Sequence, residues 1–199
     1  MQKPAETAFP LDEAIRERWS PRAFAETPLT TAELGSLLEA FRWAPSCANG
    51  QPWRLIVGLK GQGDAWQRLY DALMPGNQAW CIRVPVLMVS VAVPNFSHNG
   101  QPNRHWQHDV GLASAQMAVQ AASMGLAVHF MGGFDRDKVR ASFGVPADHE
   151  PMAAVAAGHP AAPDTMPPDI AAKDRAPRSR LGLNEIIFGA KWGEALPLG

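Results

Sequence analysis

Val84-Pro85-Val86-Leu87-Met88-Val89-Ser90-Val91-Ala92-Val93 is the longest apolar run of the chain. Pro85 and Ser90 break it, it is too short to span a bilayer, and its β-branched content predicts a central strand. Arg54 to Lys60 is a second strand candidate, closed by Gly61-Gln62-Gly63. Ala127 to Met131 and Ala153 to Ala157 are two shorter ones. Helical periodicity fills the intervals. Asp64 to Met74 carries Trp66, Leu69, Tyr70 and Leu73 at helical spacing, and Arg104 to Met124 is the longest candidate helix. The centre of that helix, Gly111 to Val119, is small and apolar nearly all round, which predicts burial. Asp135 starts a helix that runs to Phe143. Towards the N-terminus, Leu11 to Arg18 reads as a short helix with Leu11, Ala14, Ile15 and Trp19 on one face. Thr30-Thr31-Ala32-Glu33 is a capping box opening a helix that ends before Pro45. Four short strands interleaved with helices predict an α+β or α/β sandwich.

After the last strand the pattern changes. Pro160, Pro163, Pro167, Pro168 and Pro177 predict an extended arm over 160–177. It leads into a short helical stretch near Leu183 to Phe188 and a tail containing Trp192. An arm ending in Ile186, Ile187, Phe188 and Trp192 is expected to dock on a second copy of the chain.

Composition narrows the function. The chain has 199 residues, long enough for one domain over 1–199. It is 46% hydrophobic and 19% charged, with 18 Lys+Arg against 19 Asp+Glu. A net charge of -1 argues against a general nucleic-acid or anionic-membrane surface. Two cysteines, Cys47 and Cys81, lack Cys-x-x-Cys spacing, and Met1 to Thr7 has no apolar signal core, so a cytoplasmic protein with free thiols is expected.

Against that neutral background, basic residues cluster at opposite ends. Arg18-Trp19-Ser20-Pro21-Arg22 follows the first helix, and alternation in an extended segment would put Arg18, Ser20 and Arg22 on one side. Arg178-Ser179-Arg180 follows the arm. Guanidinium groups make bidentate, charge-assisted bonds to phosphate. Between the clusters, Pro45 to Trp53 (PSCANGQPW) is a helix-to-strand loop rich in backbone and side-chain amides. Together they point to an anionic ligand that is part phosphate and part flat heterocycle, a description that flavin mononucleotide (FMN) fits. Solvated ion pairs and a polar-tipped turn are the plainer explanations for each patch alone.

The motifs Arg-x-Ser-x-Arg-x-Phe (18–24), Pro-Ser-x-x-Asn-x-Gln-Pro-Trp (45–53), Gly76-Asn77, Gly-Gly-Phe-Asp (132–135), Gly158-His159-Pro160 and Arg178-Ser179-Arg180 occur in that order. In this order the chain resembles the nitroreductase family of FMN-dependent NAD(P)H oxidoreductases, from Arg18 to Trp192. The resemblance implies an α+β three-layer sandwich, a central mostly antiparallel sheet flanked by helices, with the C-terminal arm (160–199) exchanged in a homodimer that holds FMN at the subunit interface. It implies that Arg18, Trp19, Ser20, Arg178 and Arg180 hold the phosphate and ribityl chain. Arg22 would lie near the N1–O2 edge of the flavin, and Asn77 would bond to the ring. Pro45, Ser46, Cys47 and Asn49 would cover the flavin from the other subunit, and the Met131-Gly132-Gly133 backbone would reach N5 and O4. Many members carry a larger, often acidic residue at the position of Gly132.

No general acid or base is then required, because the flavin carries the chemistry and no side chain is a catalytic residue in its own right. His105, His108 and Asp109 have metal-like spacing, but polar residues at a helix start are the commoner explanation, and no metal is expected. Trp106 or His108 is instead a candidate for the substrate mouth. The implied activity is electron transfer from NAD(P)H to a nitroaromatic, quinone, enone or aldehyde in alternating half-reactions. A flavin-binding carrier or sensor without turnover is the alternative from another class.

Overall fold

A computed structural model of the protein describes residues 1–198. Four strands form its sheet: β1 (Trp53–Leu59), β2 (Val86–Ala92), β3 (Ala127–Met131) and β4 (Glu150–Gly158), in the order β1-β2-β4-β3. Every pairing among them is antiparallel, with a register shift between Ser90 and Val91.

β2 is buried at every position, and its alternation divides the core. Leu87, Val89 and Val91 face one layer, while Val86, Met88 and Ala92 face the other. The first layer is built on α3 (Ala65–Ala72), α4 (Pro75–Cys81), α6 (Arg136–Phe143) and α7 (Pro168–Arg175), which supply Trp66, Leu69, Trp80, Val139 and Ile170. The second is built on α2 (Thr31–Arg42) and α5 (Trp106–Ser123), with Leu37, Phe41, Ala113 and Met117. The result is a three-layer α+β sandwich. Two core layers that each need one face of one strand explain why that strand is the most apolar run.

Local signals act where expected. Thr30 Oγ1 accepts from the Glu33 N–H (3.2 Å) while Glu33 Oε2 accepts from the Thr30 N–H (2.8 Å), closing the capping box. Asp135 Oδ1 accepts from the Lys138 N–H at the start of α6. Gly58 in β1 marks a close approach, because a Cβ there would stand 2.6 Å from the backbone of Trp66 in α3. Backbone cannot yield as a side-chain tip can. Gly58→Ala is therefore expected to lower stability by about 1–3 kcal/mol, read as a reduced denaturant midpoint at unchanged slope.

Three expectations need correction. The segment 160–177 is not extended throughout: it contains α7, whose Ile170, Ala171 and Asp174 are buried. Pro167 and Pro168 occupy its N-cap and first turn, where a missing N–H costs nothing. Pro75 opens α4 in the same way, and that helix was not anticipated. In α1 (Glu13–Glu17), the anticipated apolar face is open, with Leu11 and Ile15 exposed. Nor is α5 buried all round, because Gly111 and Ala115 are exposed. After α7, α8 (Leu183–Ile186) and the tail beyond it are almost wholly exposed.

Candidate functional site

Chain ends that are remote in sequence meet at one pocket of about 220 Å³. Its walls include Arg18, Trp19, Ser20 and Arg22 from the segment after α1, and Arg178 and Arg180 from the segment after α7. Lys3 and Lys173 add two further cations, and Asp174 is the pocket's carboxylate. The two walls are bonded together. Asp174 Oδ2 accepts from the N–H groups of Arg22 (2.8 Å) and Ala23 (2.9 Å). Lys3 Nζ donates to the Asp174 carbonyl (2.7 Å), and Arg178 donates to the carbonyls of Lys3 and Arg16.

The pocket is electrostatically frustrated. Burial, followed by the positive charges of Arg178 and Arg180, weakens the hold of Arg18 on its proton. Burial and Arg180 act on Arg178 in the same direction. Cations forced together without matching carboxylates form a ready anion site.

A largely buried aromatic cluster contacts the segment that carries Arg18 to Arg22. His129 of β3 bonds through Nδ1 to the Pro21 carbonyl (2.8 Å). Its ring lies 4.7 Å from that of Trp80, which stacks on Phe24 at 6.2 Å. Trp80 sits on α4 one turn after Asn77, whose Nδ2 donates to the Gly133 carbonyl (2.9 Å). Gly132 and Gly133 lie just beyond the end of β3, and their N–H groups find no acceptor among the loop hydrogen bonds of the described residues. A Cβ on Gly133 would stand 2.8 Å from Asn77 Nδ2, whereas one on Gly132 would meet nothing within 4 Å. Met131 contributes only backbone here: its side chain is buried, with sulfur 3.7 Å from Cys81 Sγ.

Loop 45–51 lies apart, and none of its residues lines the cationic pocket. It is strained, with Ala48, Asn49 and Gln51 at φ of 47°, 52° and 45°, a conformation costing about 1–3 kcal/mol per non-glycine residue. The start of α5 holds it: the buried Asp109 accepts from the Cys47 N–H (3.2 Å) and from Asn103 Nδ2 (3.3 Å). Gln51 N–H donates to Ser46 Oγ, and Phe96 packs over Gly50. Cys47 is half-buried and free, Pro45 and Asn49 are exposed. Trp106 packs against the α2–α5 core layer, and His108 is exposed, 3.7 Å from Asp109. Sequence reasoning missed His129 and Asp174, neither of which carries a local motif. Asp109 stands out in the sequence only for its metal-like spacing with His105 and His108, not as the anchor of loop 45–51.

The family profile described as the Nitroreductase family matches residues 15–80 and 62–159. The chain belongs to this family. Among relatives of this nitroreductase-family protein, an uncharacterized 15.4 kDa protein in the ask 5′ region of Mycolicibacterium smegmatis is 43% identical over 150 residues, covering 72% of this chain and 99% of that one. A Streptomyces coelicolor protein named "Putative NADH dehydrogenase/NAD(P)H nitroreductase" is 29% identical over 187 residues, covering 82% and 90%. A crystal structure described as an oxidoreductase containing FMN superposes with a TM-score of 0.89 at 32% identity, covering 94% and 95%.

His129 offers a pH test within this nitroreductase fold. Burial, the largest influence, lowers its pKa in the folded state despite the bond to Pro21. The unfolded chain then binds more protons below about pH 6.5. Stability is expected to fall as pH drops through that value, and the slope should flatten in His129→Gln. An unchanged slope in equilibrium denaturation would exclude His129 as its source.

Proposed function

We propose that this protein holds FMN with its phosphate in the cationic pocket, and passes electrons from NAD(P)H to a small organic acceptor. The observation that carries this reading is the convergence of Arg18, Arg178 and Arg180 on one pocket, whose mutual repulsion a phosphate would relieve. Asn77 and the backbone of Gly132 and Gly133, joined by the Asn77 Nδ2 bond to the Gly133 carbonyl, suit the polar edge of a flat heterocycle. The FMN in the similar oxidoreductase structure and the NAD(P)H in the name of the Streptomyces relative support the same assignment.

Arg18, Ser20, Arg178 and Arg180 would bind the phosphate and ribityl chain. Arg22 would set a cation beside the heterocycle, where charge grows on reduction. Asn77 and the Gly132-Gly133 backbone would orient the ring. When bound, the flavin supplies the redox chemistry, accepting hydride from NAD(P)H and giving two electrons to a quinone, nitroaromatic, enone or aldehyde in a separate half-reaction.

A second copy of the chain completes the proposed site. Exposure of Leu181, Leu183, Ile186, Ile187 and Leu196, with Trp192 at 91%, supports a tail that docks on a partner. Loop 45–51, remote from its own pocket, would then cover the flavin of the other copy. The chain would act as one domain over 1–199, in the cytoplasm, in keeping with its free thiols.

A visible spectrum of the purified protein, before and after anaerobic NADH or NADPH, tests this directly. Yellow protein that bleaches and recovers with a quinone or nitroaromatic is the expected result. A flavin band that never bleaches would mean binding without turnover, and failure to take up FMN would end the reading.

A further inference from the structure

The cationic pocket contains an acid that phosphate binding does not call for. The Asp174 side chain is 1% exposed. One oxygen, Oδ2, is occupied by the Arg22 and Ala23 amides. The other, Oδ1, is buried without a hydrogen-bond partner. The Arg22 guanidinium, about one-third exposed, stands 3.5 Å from it through Nη1. A carboxylate that served only to fasten the backbone would gain nothing from leaving an oxygen unbonded against a cation, and an asparagine carbonyl could accept the same two N–H bonds, though more weakly. The charge is what asparagine lacks.

We propose that Asp174 is a positioning residue that aims Arg22 and offsets part of its charge, and so sets how strongly this site favours the reduced flavin. The inference rests on the flavin reading above. Oδ2 fixes the Arg22 backbone from α7, and Oδ1 holds the guanidinium on the pocket wall. A negative charge behind Arg22 lowers the positive potential that a reduced, anionic cofactor edge would meet. The site then releases electrons more readily than Arg22 alone would permit.

The test uses the full-length protein with FMN bound, as wild type, Asp174→Asn and Asp174→Glu. FMN affinity is measured by fluorescence titration, and the ratio of reduced to oxidised flavin is measured against a reference dye at one fixed poise. Asp174→Asn is expected to keep FMN affinity within about threefold and to raise the reduced-to-oxidised ratio on the order of tenfold, the size of one charge felt across several ångströms at intermediate dielectric. Asp174→Glu, which keeps the charge but disturbs the amide bonds, is expected to stay within about twofold of the wild-type ratio. A purely structural role predicts the opposite order, with glutamate the more disruptive change. An Asp174→Asn chain that fails to fold, or that folds with the wild-type ratio, overturns the proposal and leaves the flavin reading intact. Wild-type protein that takes up no FMN overturns both.

Discussion

Replacing Arg18 and Arg180 together by alanine is expected to weaken FMN binding by roughly 10²- to 10⁴-fold while leaving the fold intact. Each charge-assisted bond to a phosphate contributes about 1.5–3 kcal/mol, and two of them span that range of affinity. The distinguishing feature is the sign of the stability change. Arg18 is half-buried beside Arg178 and Arg180, and both burial and repulsion disfavour its charge. Removing two of these cations should leave the melting temperature of the FMN-free protein unchanged or raised. Fluorescence titration and thermal denaturation of the same preparation read both quantities. An affinity within threefold of wild type would place the phosphate elsewhere.

Trp80→Ala should do the reverse, with stability failing first. The indole is 2% exposed, stacks on Phe24 and meets His129, and it lies in the same core layer as Leu69 and Val89. Truncating a buried tryptophan costs about 3–5 kcal/mol, equivalent to a fall of roughly 10 °C in melting temperature for a chain of this length. FMN affinity should drop with it, because the same ring supports the segment carrying Arg18 to Arg22 and the helix carrying Asn77. Trp80→Phe, which keeps an aromatic face, should recover most of both. A variant that loses stability but binds FMN normally would separate the aromatic cluster from the site. Together the two experiments distinguish a residue that makes the pocket from one that holds it in place.

The contrast between these residues explains what could be read in advance. Arg18, Ser20 and Arg22 were visible because they share a short motif and a common side of an extended segment. Thr30 and Glu33 announced a helix start because capping is decided within four residues. The bounds of β3, Ala127–Met131, followed from a short apolar run and a preceding Gly125. For the prolines of 160–177 position counts for more than number: at Pro167 and Pro168 they begin a helix, and Ile170 and Asp174 behind them are buried. Met131 belongs to the site motif, yet its side chain enters the core beside Cys81.

Helices α4 and α7 escaped a local reading of the sequence. Local sequence sufficed for the four strands, the capped starts of α2 and α6 and the types of residue that could grip a phosphate, because periodicity, capping and charge are local properties. The tertiary structure alone decided which of them meet. Asp174 reaches the amides of Arg22 and Ala23 across more than 150 residues, and His129 reaches Pro21 across 108. Neither carries a local mark, since a buried carboxylate or imidazole is defined by the partners that folding brings to it. Packing of α7 against the segment after α1 turns two separate arginine clusters into one pocket.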